Sequence, residues 1–106
     1  MARVLIVGCG YVGTALASLL VKGGHVVFGM RRDVSGLPAD VHAVRADVSR
    51  ADGIVELPSS IDFIVYAVAA KVRDKDAYRA VYLDGVSHLL RALGDEGQSP
   101  RRIFFT

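Results

Sequence analysis

Apolar and polar positions along this chain follow two rhythms. A run of β-prone residues, Arg3-Val4-Leu5-Ile6-Val7, gives way after a glycine-rich stretch to Val12, Ala15, Leu16, Leu19 and Leu20 at helical spacing, ending at Lys22. The change from a continuous apolar run to a stripe at steps of three and four predicts a buried strand and then an amphipathic helix beginning near Tyr11. Gly23-Gly24 stop that helix, and His25-Val26-Val27-Phe28-Gly29-Met30 reads as a second strand. Breakers at Gly36 and Pro38 separate it from a short third strand, Val41 to Arg45. Ser49 is placed to cap a short helix over Arg50 to Leu57, closed by Pro58.

The strongest strand signal is Ile61 to Ala70, apolar on both faces after Asp62, as in a central parallel strand covered by helices on each side. A long helix is predicted over Lys75 to Leu93, with Asp74 or Asp76 at its start. Tyr78, Val81, Tyr82, Gly85, Val86, Leu89, Leu90 and Leu93 form one wide stripe along it, and Gly94 and Gly97 end it. A fifth strand begins at Arg102-Ile103-Phe104-Phe105-Thr106. Strands alternating with helices predict a doubly wound α/β sheet, a Rossmann fold of three layers, with five parallel strands in the order 3-2-1-4-5.

The first strand-to-helix junction reads Gly8-Cys9-Gly10-Tyr11-Val12-Gly13. Gly8 lets the chain turn off the strand, Gly10 lets backbone approach a phosphate, and Gly13 lets the helix pack on the strand. The first turn of the helix adds unpaired N–H groups and the positive end of its dipole, so an anion needs no lysine there. In this βαβ context the glycines predict dinucleotide binding by residues 8–13. At the end of the second strand a carboxylate is expected in an NAD site, and this chain has Arg31-Arg32-Asp33. Guanidinium groups bind a 2′-phosphate that a carboxylate repels, so NADP is the expected cofactor; Asp33 keeps an NAD reading open.

Composition narrows the rest. The chain of 106 residues is 52% hydrophobic, enough for one globular domain, and its net charge of +2 gives no reason to expect nucleic acid or an anionic membrane as partner. One cysteine excludes an internal disulfide, and no apolar run reaches the length of a membrane span. A cytoplasmic protein is expected. Cys9, at a helix N-terminus, reads mainly as a small residue filling a tight turn. His25, His42 and His88 have no metal-ligand spacing and read as structural; no metal site is expected.

The glycine loop resembles that of the NAD(P)-dependent epimerase/dehydratase branch of the short-chain dehydrogenase/reductase superfamily. So do Gly24-His25-Val26-Val27, Asp47-Val48, Val65 to Ala70, Tyr82-Leu83-Asp84-Gly85-Val86 with Leu89-Leu90, and Arg102 to Thr106. The resemblance implies that Asp47 accepts from the adenine amino group, with Val48 on the ring. It implies that Ala67, Val68 and Ala69 line the adenosine ribose and phosphates. Thr106 would begin the segment leading to a catalytic Ser/Thr. The loop has the tighter G-x-G-x-x-G form, which points to an atypical subgroup, and Tyr82 stands where the family often has asparagine.

The family's Tyr-x-x-x-Lys pair is absent: the residues four after Tyr11, Tyr66, Tyr78 and Tyr82 are Ala15, Ala70, Tyr82 and Val86. No catalytic residue is therefore assigned. Residues 1–106 are expected to be the cofactor-binding N-terminal part of a longer enzyme that passes hydride to and from its nicotinamide, on a small substrate such as a nucleotide sugar or another carbonyl or alcohol. The alternative is a non-catalytic, nucleotide-sensing module. The broad stripe over 75–93 suits a homodimer through the long helix, and the fifth strand is expected to leave an exposed edge.

Overall fold

β1 (Arg3–Val7) lies at the centre of a five-stranded parallel sheet, as its unbroken apolar run requires. The computed structural model describes residues 1–68 and 74–106. β1 is followed by α1 (Tyr11–Lys22) and β2 (Val26–Arg31), then by β3 (His42–Arg45) and β4 (Phe63–Tyr66). Among the residues described from 74 onward come α2 (Lys75–Tyr78), a π-helical segment (Arg79–Asp84), α3 (Gly85–Asp95) and β5 (Arg102–Phe105). The strand order is β3-β2-β1-β4-β5, as the element pattern predicts. Val7 is in register with Met30 of β2 and Tyr66 of β4, so the carboxyl ends of three strands lie within one residue of one level.

Alternation along the strands divides the core into two layers. Val4, Ile6, Val27 and Val65 pack beneath α1 with Ala17; Leu5, Val7, Met30, Ile64 and Tyr66 pack on the opposite face with Leu89 and Leu93 of α3. Among the described residues no helix is long and apolar enough to cross a membrane.

Four sequence expectations change. On α1 the sheet-facing positions are Gly13 and Ala17, flanked by Leu16 and Leu20, while Val12, Ala15 and Leu19 are exposed. The small residues bring the helix close to the sheet, which turns the larger apolar ones outward.

No helix forms over Arg50–Leu57. Asp47 N donates to Gly53 O, Gly53 N to Arg50 O, and Asp47 Oδ1 accepts from both the backbone and hydroxyl of Ser49, giving consecutive turns around Asp47. Leu57 N donates instead to the Glu96 carboxylate, 39 residues away.

The helix predicted over 75–93 is three segments. Tyr66 Oη donates to the Val81 carbonyl inside the π-helical stretch, and the extra residue in that turn breaks the stripe. Gly85, Leu89 and Leu93 are buried, whereas Tyr78, Tyr82 and Leu90 are exposed. β4 ends at Tyr66, and the predicted Ala69 and Ala70 lie outside the described residues.

Candidate functional site

The chain leaves β1 through Gly8, whose φ of +86° L side chains rarely adopt. The amides of Gly8 and Cys9 both donate to Met30 O, at 2.9 and 3.1 Å, tying the turn to the end of β2. A β-carbon on Gly8 would stand 2.7 Å from both N and Cα of Val68, so the segment after β4 lies directly against the turn. A β-carbon on Gly13 would stand 3.0 Å from Gly8 O and 3.1 Å from Ile6 Cγ2, the close helix-on-strand contact read from sequence. Gly10 differs: nothing lies within 4 Å of the place its β-carbon would occupy. That free space is the floor of a cavity.

α1 starts beside this floor with no side-chain cap and no acidic residue in its first turn; Gly10 O accepts the first helical bond, from Thr14 N at 2.8 Å. The amide protons ahead of Thr14 have no helical carbonyl to bond, so an anion there meets both donors and the positive dipole end.

The cavity, about 810 Å³, runs along the carboxyl ends of the strands. Gly8, Gly10, Tyr11, Val12 and Gly13 form its floor; Arg31, Arg32 and Asp33 one end; Asp47 and Val48 the adjoining wall; Ala67 and Val68 the opposite side. It straddles the point where the chain passes from β1 outward to β2 and β3 on one side and to β4 and β5 on the other, where ligands bind in open α/β sheets. Val7, Met30 and Ala46 also line it, and sequence reasoning missed them. All three lie within one residue of the end of a strand, a signal available once the strand ends are fixed.

The carboxylates are held by local turns. Burial works against the charge of Asp47, but its Ser49 hydrogen bonds (3.0 Å from N, 2.6 Å from Oγ) and the nearby Arg32 and Arg50 outweigh it, keeping the pKa below the usual aspartate value. Both bonds use Oδ1. Asp33 is lowered too, chiefly by the Ser35 hydroxyl at 2.7 Å and the Ser35 amide at 3.0 Å, with Arg31 and Arg45 adding to it. The two arginines and the two ionised aspartates thus surround one end of the cavity with fixed, opposite charges.

Two residues expected at the site are not brought to the cavity. The Cys9 side chain is fully buried and points away from it, over Gly29, where a β-carbon would come within 3.0 Å of its sulfur. Burial raises the Cys9 thiol above its usual pKa despite Thr14 and Arg31, so it stays a protonated core group. Thr106 is exposed past the end of β5 and donates its amide to Tyr66 O. Ala69 lies outside the described residues.

The sequence profile of the NAD dependent epimerase/dehydratase family matches residues 4–106. Comparison with curated proteins finds no match. Among solved structures, a candidate NAD-dependent epimerase/dehydratase from Methylobacillus flagellatus is 34% identical, with a TM-score of 0.72, over 98% of this chain and 36% of its own. UDP-galactose 4-epimerase superposes with a TM-score of 0.76 at 18% identity, over 97% of this chain and 37% of its own. The Bordetella bronchiseptica enzyme WbmH, solved in complex with NAD+, gives 0.62 at 23% identity, over 92% and 36%. The chain thus spans a little over a third of the length of each of these three proteins.

Proposed function

The chain belongs to the NAD-dependent epimerase/dehydratase family, and from that premise we propose that residues 1–106 form the cofactor-binding part of an oxidoreductase that passes hydride to and from a bound nicotinamide. One observation carries the proposal. An uncapped helix start and a glycine with free space beside it form the floor of an 810 Å³ cavity at the carboxyl ends of the strands. A pyrophosphate suits that floor on charge, and the open space beside Gly10 leaves room for it.

In this reading the amides of 11–13 bind the pyrophosphate, and Asp47 with Val48 receives the adenine, the carboxylate accepting from its amino group. Ala67 and Val68, small or medium apolar residues, flank the ribose and phosphates. Arg31 and Arg32 stand at the adenosine end, and their charge supports NADP, since guanidinium groups pair with a 2′-phosphate. A second reading, NAD, is favoured by Asp33 on the same wall and by the NAD+ held by WbmH. The nicotinamide, once bound, supplies the hydride; the residues of this chain bind and orient it. The substrate class we propose is a small carbonyl or alcohol, such as a nucleotide sugar. Exposed Tyr78, Tyr82 and Leu90 support pairing of two copies through 75–93. We also propose a cytoplasmic location.

Titration with NADPH and NADH, followed by the fluorescence of the reduced nicotinamide, tests the proposal. Saturable binding of either, abolished by a bulky residue at position 10, is the expected result; binding of neither overturns it. Tighter NADH binding overturns the NADP preference alone.

A further inference from the structure

We infer that His88 is a positioning residue for adenine, acting through the backbone of Val48; the inference rests on the cofactor reading above. His88 lies on α3, 40 residues from Val48, and its Nδ1 is 2.6 Å from the Val48 carbonyl oxygen. A carbonyl only accepts, so Nδ1 carries the proton and donates. His88 is not part of the cavity wall, but Val48 is, and Asp47 precedes it.

A second contact acts on the same residue. Gly85, one turn before His88 and therefore on the same helix face, leaves room for the Val48 side chain: a β-carbon there would lie 3.3 Å from Val48 Cγ2. One face of α3 thus braces Val48 at both its side chain and its carbonyl.

Two other anchors act on this segment, since Ala46 N donates to Arg31 O at 3.0 Å and the Val48 side chain is buried in the core, but neither holds the Val48 carbonyl, where the His88 bond acts. The Asp47–Gly53 turns bond mostly to themselves: Asp47 N to Gly53 O, Arg50 N to Asp47 O, and Ser49 to Asp47 Oδ1. These bonds fix the shape of the turns, not their direction. The His88 bond joins them to the helix packed under the sheet. With Oδ1 engaged by Ser49, Oδ2 is the oxygen left to accept from an exocyclic amine, and its aim depends on where Val48 is held.

The test is base discrimination. The wild-type chain and three variants are titrated with a reduced nicotinamide adenine dinucleotide and with its deamino counterpart, which carries hypoxanthine in place of adenine and so lacks the amine. Wild type should bind the adenine form about tenfold tighter, the worth of a hydrogen bond to a charged acceptor. His88→Leu should bring the two within about twofold, mainly by weakening the adenine form. His88→Asn, whose amide N–H falls where Nδ1 was, should retain the preference. His88→Gln, which places its amide one bond farther out, should lose it, and serves if His88→Leu does not fold. A merely structural histidine would move both dinucleotides together. An unchanged ratio in His88→Gln and His88→Leu, or no base preference in the wild type, overturns the role of His88. Failure of the wild type to bind either dinucleotide overturns the cofactor reading, and this inference with it.

Discussion

The phenol oxygen of Tyr66 occupies the place that a β-carbon on Gly85 would need. Tyr66 is at the end of β4 and is 1% exposed, and its hydroxyl reaches past Gly85 to donate to the carbonyl of Val81. The glycine therefore admits a side chain from the sheet into the helix, and the helix widens to π geometry around it. Gly85→Ala should lower stability by about 1–3 kcal/mol, as overpacking of a closed site does. Tyr66→Phe should lower it by about 1–2 kcal/mol by leaving the Val81 carbonyl without its donor. The double variant should be more stable than the sum implies, by about 1 kcal/mol, because phenylalanine lacks the atom that the new methyl group meets. Urea unfolding of the four proteins measures this; strict additivity would show that the two residues do not share the space.

The glycines of the turn should separate binding from folding. Gly8 has a left-handed φ and the Val68 backbone 2.7 Å from its missing β-carbon. Gly8→Ala should therefore destabilise the chain by about 2–4 kcal/mol. Gly10 faces open space, and Gly10→Ala should change stability by less than about 1 kcal/mol, the scale of an N-cap substitution. Yet its methyl group would stand where the phosphates are proposed to lie, and dinucleotide affinity should fall at least tenfold, about 1.4 kcal/mol. Thermal scans beside cofactor titrations separate the two effects. A Gly10→Ala protein that binds as tightly as wild type would falsify the placement of the phosphates.

Alkaline stability should fall on Tyr66. Burial, with Tyr82 nearby, pushes its phenol up to about 12. The group is neutral in both folded and unfolded chains below pH 10, so its contribution is fully present there. Above pH 10 the unfolded chain releases the proton and the folded one keeps it, so stability drops as pH rises toward 12, with a slope of up to about 1.4 kcal/mol per pH unit. Urea midpoints between pH 9 and pH 12 should show this component in wild type and lose it in Tyr66→Phe. Equal slopes in the two proteins would contradict the assignment.

Local pattern carried the sequence reading where structure is local. β1, the glycine turn, α1 and β2 are contiguous, and their existence follows from an unbroken apolar run and a helical-period stripe with glycines between, although which residues of α1 face the sheet does not. Several of the parts that failed depend on distant partners. Nothing near Arg50–Leu57 announces that Leu57 N–H will bond Glu96, whereas the turn that Asp47 makes with Ser49 is local, an Asx pattern that the reading of Ser49 as a helix cap passes over. The π-helical turn follows from Tyr66, 15 residues before Val81. In the site, backbone positions such as Gly8, Gly10 and Gly13 were legible because glycine has few reasons to be there. Cys9 was not: a residue inside the motif need not face the ligand, and its direction is decided by the gap at Gly29 on a neighbouring strand.

Arg31 and Arg32 supply the last prediction, because charge at the end of β2 should decide which dinucleotide is held. Arg31 is the last residue of β2 and is half-buried; Arg32 is exposed, and both line the cavity beside Asp33. A 2′-phosphate brought here would exchange water for guanidinium donors, whereas a plain ribose would present hydroxyls to a carboxylate. Asp33 Oδ1 already accepts two bonds from Ser35, so the arginines have the freer side chains. Arg32→Ala should weaken NADPH about tenfold or more, the loss of one charge-assisted pair, and change NADH by less than about twofold. Arg31→Ala should act in the same direction, with a small stability loss because that residue is partly buried. Asp33→Asn should leave NADPH unchanged or tighten it. Raising the salt concentration should weaken NADPH more than NADH in the wild type and should lose that difference in Arg32→Ala. If Arg32→Ala leaves the ratio of the two dissociation constants where it was, the end of β2 does not choose the cofactor, and the NADP preference fails.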